Sequence, residues 1–125
     1  MNVSILAQDE PVQVDSAKLE ALYRQLGDAS AEDIMCRAME ELAVRLSQAE
    51  AFFRGGKTED LRKTARLIAA ISEQIGMQML SVVGTHVVQC IEAGDDIALA
   101  AVLARLIRVG ERSLTEIWEL QNFSL

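Results

Sequence analysis

Residues 31–53 read Ala31-Glu-Asp-Ile-Met35-Cys-Arg-Ala-Met39-Glu-Glu-Leu42-Ala-Val-Arg-Leu46-Ser-Gln-Ala49-Glu-Ala-Phe-Phe53. Met35, Met39, Leu42, Leu46, Ala49 and Phe53 follow one another at spacings of four, three, four, three and four. A strand would show its apolar residues at every second position. Alternating steps of three and four instead line one side of an α-helix, and six in a row make a seam built to pack on other helices.

Outward from this seam the chain is divided by glycine. Gly27, Gly55-Gly56, Gly76 and Gly94 each follow a helix-periodic run, where a left-handed C-terminal turn favours them. Asp15, Ser30, Thr58 and Asp95 or Asp96 precede the next runs as N-cap candidates. Five helices are predicted over residues 16–26, 31–53, 59–75, 77–93 and 97–120. The first shows Leu19, Leu22, Tyr23 and Leu26 on one side, and the third Leu61, Ala65, Ile68, Ser72 and Ile75. The fourth shows Leu80, Val83, Gly84, Val87 and Ile91. The fifth shows Leu99, Leu103, Leu106, Gly110, Ser113 or Leu114, and Ile117.

Connections of a few residues force neighbours antiparallel. The predicted fold is therefore all-α, an antiparallel up-down-up-down four-helix bundle with a short additional N-terminal helix. Residues 1–14 read as a flexible tail and 15–125 as one domain. Gly84 and Gly110 lie inside helices, where each costs roughly 1 kcal/mol against alanine. Close helix–helix approach accounts for them better than a kink beside a site.

Composition agrees. Half of the 125 residues are apolar, but five are aromatic and one is proline, so the core must be aliphatic. The net charge of −7 provides no field for nucleic acid or an anionic membrane surface. No run reaches the roughly 20 apolar residues of a membrane span, and residues 1–13 lack the basic start of a signal peptide. A cytoplasmic protein is expected, with Cys36 and Cys90 as reduced thiols.

No metal or cofactor site is expected. The carboxylate pairs Glu40-Glu41, Glu59-Asp60 and Asp95-Asp96 are adjacent, so they diverge by about 100° on a helix or occupy a cap. Met35, Met39, Met77 and Met79 read as core filler.

The third and fourth helices carry Asp60-Leu-Arg-Lys-Thr-Ala65-Arg66-Leu-Ile68-Ala-Ala70-Ile-Ser-Glu-Gln-Ile75-Gly76, then Leu80, then Glu92-Ala-Gly94-Asp95. This resembles the histidine phosphotransfer (Hpt) family. Its signature is Ala-His, two residues, then Lys-Gly, with a helix-ending glycine six residues on. Ala65, Ile68, Ile75 and Gly76 fit that frame, and the likeness in helix lengths and glycine placement spans residues 16 to 120. The chemistry does not fit. The phospho-accepting histidine falls on Arg66, the lysine on Ala69 and the glycine on Ala70. Guanidinium stays protonated and is no nucleophile. The sole histidine, His86, has Gln89 and Cys90 where a lysine and glycine would follow.

The resemblance implies a docking face on the third helix, formed by Arg62, Lys63, Arg66, Leu67, Ala70, Ile71 and Gln74. The implied partner is a response-regulator receiver domain or a histidine kinase, bound without transfer of phosphate and hence without enzymatic activity. Arg66 would enter the receiver's carboxylate pocket. Two other readings compete: active phosphotransfer through His86, and a helical module that forms homodimers through the apolar residues near Leu67.

Overall fold

The computed structural model describes residues 14–123. Among these it forms five α-helices and no strand: α1 (Ser16–Leu26), α2 (Asp28–Arg54), α3 (Thr58–Gln74), α4 (Gln78–Ala93) and α5 (Asp96–Phe123). Residues 1–13 of the expected tail lie outside the described residues.

Local chemistry sets the helix ends. Asp15 caps α1, its Oδ1 accepting from Lys18 N at 3.1 Å. Asp95 caps α5 in the same way, accepting from Ala98 N at 3.0 Å. Ser30 does not cap α2, which begins two residues earlier at Asp28. One glycine explains the difference. Gly27 at φ 82° donates its N–H to Tyr23 O, closing α1, and accepts from Ala31 N, opening α2. Thr58 likewise starts α3 as its first helical residue, after Lys57.

The four long helices share one core. Leu42 and Leu46 of α2, Leu61 and Ile68 of α3, Leu80 and Val83 of α4, and Leu103 and Leu106 of α5 belong to a single buried cluster. Helix α2 packs on α3 and α5, and α4 packs on the same two; α1 packs on α2. Every residue of the predicted α3 stripe is buried, and Ser72, its one polar member, donates to Ile68 O at 2.6 Å. That bond satisfies the hydroxyl inside the core.

Phe53 departs from the predicted seam, since it is 37% exposed while Phe52 packs against the core. It lies in the last turn of α2, level with Thr58 and Asp96, where α3 and α5 only begin. Among the described residues no further core layer covers it. Leu26, at the end of α1, also departs from its predicted stripe and is exposed.

Both internal glycines mark close approach. A Cβ at Gly84 would lie 3.2 Å from Ala65 O and from Ala69 Cβ. At Gly110 it would lie 2.5 Å from Leu46 Cδ1. The two contacts set the spacings of α3 from α4 and of α2 from α5.

The start of α1 is held to the α3–α4 turn. Asp15 N donates to Gly76 O at 2.7 Å, Val14 pairs with Met77, and Gln78 Nε2 donates to Asp15 Oδ2 at 3.2 Å. Lys18 Nζ adds an ion pair to Glu73 at 2.9 Å.

Candidate functional site

Burial of Leu61, Ala65, Ile68 and Ser72 turns the opposite side of α3 outward. Positions 63, 66, 67, 70 and 74 follow one another around that side at helical spacing. The structure leaves all five exposed: Lys63, Arg66, Leu67, Ala70 and Gln74. The other two predicted members sit on the flanks. Ile71 is half-buried against the core, and Arg62 is half-buried on the edge toward α4.

Arg62 is the main revision to the basic cluster. Its Nε donates to Glu59 Oε2 at 3.0 Å, and its Nη2 makes a second contact to Glu59 Oε1. This paired geometry matches the planar guanidinium to the carboxylate. The hydrogen bond holds the Glu59 carboxyl below the usual carboxylate range; desolvation opposes it, and Arg62, Lys63 and Arg66 reinforce it by their charge. Arg62 is in turn held more firmly protonated by the Glu59 hydrogen bond and charge, with Glu92 of α4 adding to it. Its charge is committed inside the protein. Lys63 and Arg66 take part in none of the salt bridges of the described residues, so they carry the outward positive character of the face.

Two residues that the sequence reading did not assign to this face therefore frame it. Glu59 neutralises Arg62 at one end, and Glu73, paired with Lys18 of α1, stands at the other. The first was legible as an i, i+3 pair on one helix. The second joins residues 55 positions apart, and no local pattern announces it.

The three positions where the Hpt resemblance expects histidine, lysine and glycine do not share one environment. Arg66 and Ala70 are exposed, but Ala69 lies against α4 at Gly84. A lysine at 69 would have to run along that tight contact. Alanine at 69 thus has a packing role against Gly84.

The chain matches no family model, no curated protein and no solved structure. The Hpt likeness therefore rests on the quoted residues alone.

His86 is half-buried on α4 between buried Val83 and Val87. Cys36 is exposed and Cys90 half-buried, both as free thiols. Among the described residues no three His, Cys, Asp or Glu side chains converge as metal ligands.

Proposed function

We propose that this protein is a phosphorelay-type signalling module, similar to Hpt domains, that binds a response-regulator receiver or a histidine kinase without itself carrying phosphate. The observation that carries this reading is the exposed Arg66, beside exposed Lys63 and bordered by Leu67 and Ala70. A cation at the centre of a small apolar patch is suited to a partner with an acidic pocket in an apolar surround. With Arg66 at the acceptor position, the contact is electrostatic and no phosphoryl group moves.

The finer architecture belongs to the same proposal: α2 to α5 as an antiparallel up-down-up-down bundle, with α1 laid across one end. Two observations support it. The connections between the long helices are two or three residues, and each long helix contacts two others. No helix of the described residues is long and apolar enough to cross a membrane. A cytoplasmic site of action accords with a receiver or kinase as partner.

The test is titration of candidate receivers into the wild-type chain and into Arg66→Glu. Reversal of this charge is expected to weaken binding by about tenfold or more, the scale of an interfacial charge pair. Equal affinities would sink the docking role. Incubation with a phosphorylated receiver should leave no acid-labile label on the chain; label abolished by His86→Ala would establish the active alternative. A concentration-dependent dimer that Leu67→Lys dissociates, together with no receiver binding, would favour the helical dimerisation module.

A further inference from the structure

Away from the α3 face, α2 and α5 leave an open groove along their shared seam. Its wider part, about 530 Å³, has Met39, Ala43, Leu114 and Trp118 as apolar lining, with the exposed Cys36 at its mouth. It continues past Ala43 and Leu114, which also line the adjoining stretch with Leu46 and Ile107. From Cys36 to Glu50 the groove follows α2 for about 21 Å, at 1.5 Å per residue.

Two features separate this groove from an ordinary irregularity between helices. Trp118 is 60% exposed, although its indole is the largest apolar surface in the chain. An indole standing beside an apolar channel is the kind of group that anchors protein interfaces. The charged residues lining the groove are also all of one sign. Glu40, Glu50 and Glu111 line it, and no lysine or arginine does so among the described residues; Arg108 and Arg112 stand beyond Glu111, in a neighbouring depression that also holds Glu116 and Glu119. Glu50 meets Arg54 at 3.6 Å, but that exposed pair is loose and weak.

We infer that the α2–α5 groove receives an amphipathic helix of a protein partner, whose apolar stripe is flanked by lysine or arginine. The length and apolar floor fit a helix laid lengthwise, with anchors at steps of three and four residues. The carboxylates select the flanking charge. A second copy of this chain repels as a whole at −7, and its outward basic face on α3 offers only Lys63 and Arg66 to the three carboxylates, with Arg62 already paired to Glu59. An anionic membrane surface is disfavoured on the same ground.

The experiment uses the full chain and Trp118, its only tryptophan, as the reporter. The probe is a synthetic helix of about 18 residues, long enough to span the groove, with a leucine and alanine stripe flanked by lysines and no aromatic residue. A control peptide keeps the stripe and replaces each lysine with glutamate. The basic peptide is expected to shift Trp118 emission to the blue saturably, and to slow alkylation of Cys36 in a Cys90→Ser background. Binding should weaken several-fold between about 50 and 300 mM salt, where screening shortens from over 10 Å to under 6 Å. Glu40→Lys with Glu111→Lys should cost about tenfold in affinity. Ala43→Arg, at an exposed position, should block the groove with helicity intact, while Arg66→Glu should leave peptide binding unchanged.

Equal binding of the acidic peptide would overturn the inference. So would a blue shift that grows with protein concentration in the absence of peptide, which assigns the groove to a second copy. A red shift of Trp118 on deletion of residues 1–13, with peptide binding only after that deletion, would assign it to the chain's own N-terminal segment and equally overturn it.

Discussion

Glu59 and Arg62 determine how much positive charge the α3 face presents. Their paired contact consumes the guanidinium of Arg62, leaving Lys63 and Arg66 to face outward. Because the folded carboxyl is more acidic than the unfolded one, the pair's contribution to stability is complete above the ordinary glutamate range. It is lost as pH falls through the lowered value. Both partners are at the surface, so the energetic effect is small and the titration is the better readout. Carboxyl-carbon NMR should place the Glu59 midpoint below the ordinary glutamate range. In Arg62→Gln it should return toward the ordinary value, since the hydrogen bond is the largest cause. An unmoved midpoint would show that the pair does not persist in solution.

At the scale of elements, the helix punctuation separates two roles of glycine. Gly94 (φ 68°) ends α4 in open space, with nothing within 4 Å of an added Cβ. Gly76 (φ 80°) ends the α3 segment where an added Cβ would meet Asp15 O at 3.0 Å. Gly94→Ala should therefore cost only the left-handed backbone penalty, about 1 kcal/mol. Gly76→Ala should cost that amount plus the displacement of Asp15, or about 2–3 kcal/mol. Amide exchange in α1 should also accelerate in Gly76→Ala and not in Gly94→Ala, because Asp15 is held there by both backbone and side chain. Equal costs and unchanged exchange would mean that α1 is held by its apolar contacts alone.

The same elements show what the sequence could reveal. The α3 stripe and the glycine stops were legible because periodicity and positive φ are local properties. The start of α2 was misplaced by the attractive Ser30, since Gly27 completes one helix and opens the next without a side-chain cap. Phe53 was assigned to the seam by spacing, but spacing does not record where neighbouring helices begin. For the candidate face, five of its residues followed from helix geometry. The withdrawal of Arg62 and the role of Ala69 against Gly84 depend on contacts that no periodicity contains. The α2–α5 groove was not legible at all, because it exists only between two helices brought together by the fold.

For the whole molecule, the relevant quantity is the distribution of charge rather than its sum. A net charge of −7 predicts repulsion from acidic partners, yet the outward face of α3 presents Lys63 and Arg66. The groove between α2 and α5 is lined by three carboxylates and by no base among the described residues. The two surfaces share no residue, so the two proposed partners would have separate places to bind. Interactions between exposed charges on these surfaces decay over a Debye length of about 8 Å at physiological salt. Occupancy of one surface should therefore change the other's affinity by less than about twofold, the range in which separated sites behave additively. Titration of a receiver into the chain presaturated with the lysine-flanked helix tests this, with Arg66→Glu reporting on the first surface and Ala43→Arg on the second. A coupling of tenfold or more would instead require a two-state element reaching both surfaces. Helix α2, which packs on α3 and forms one wall of the groove, is the element that spans them. In that event Gly110→Ala, by pressing on Leu46 of the groove wall, should change receiver affinity at α3 as well as peptide affinity in the groove.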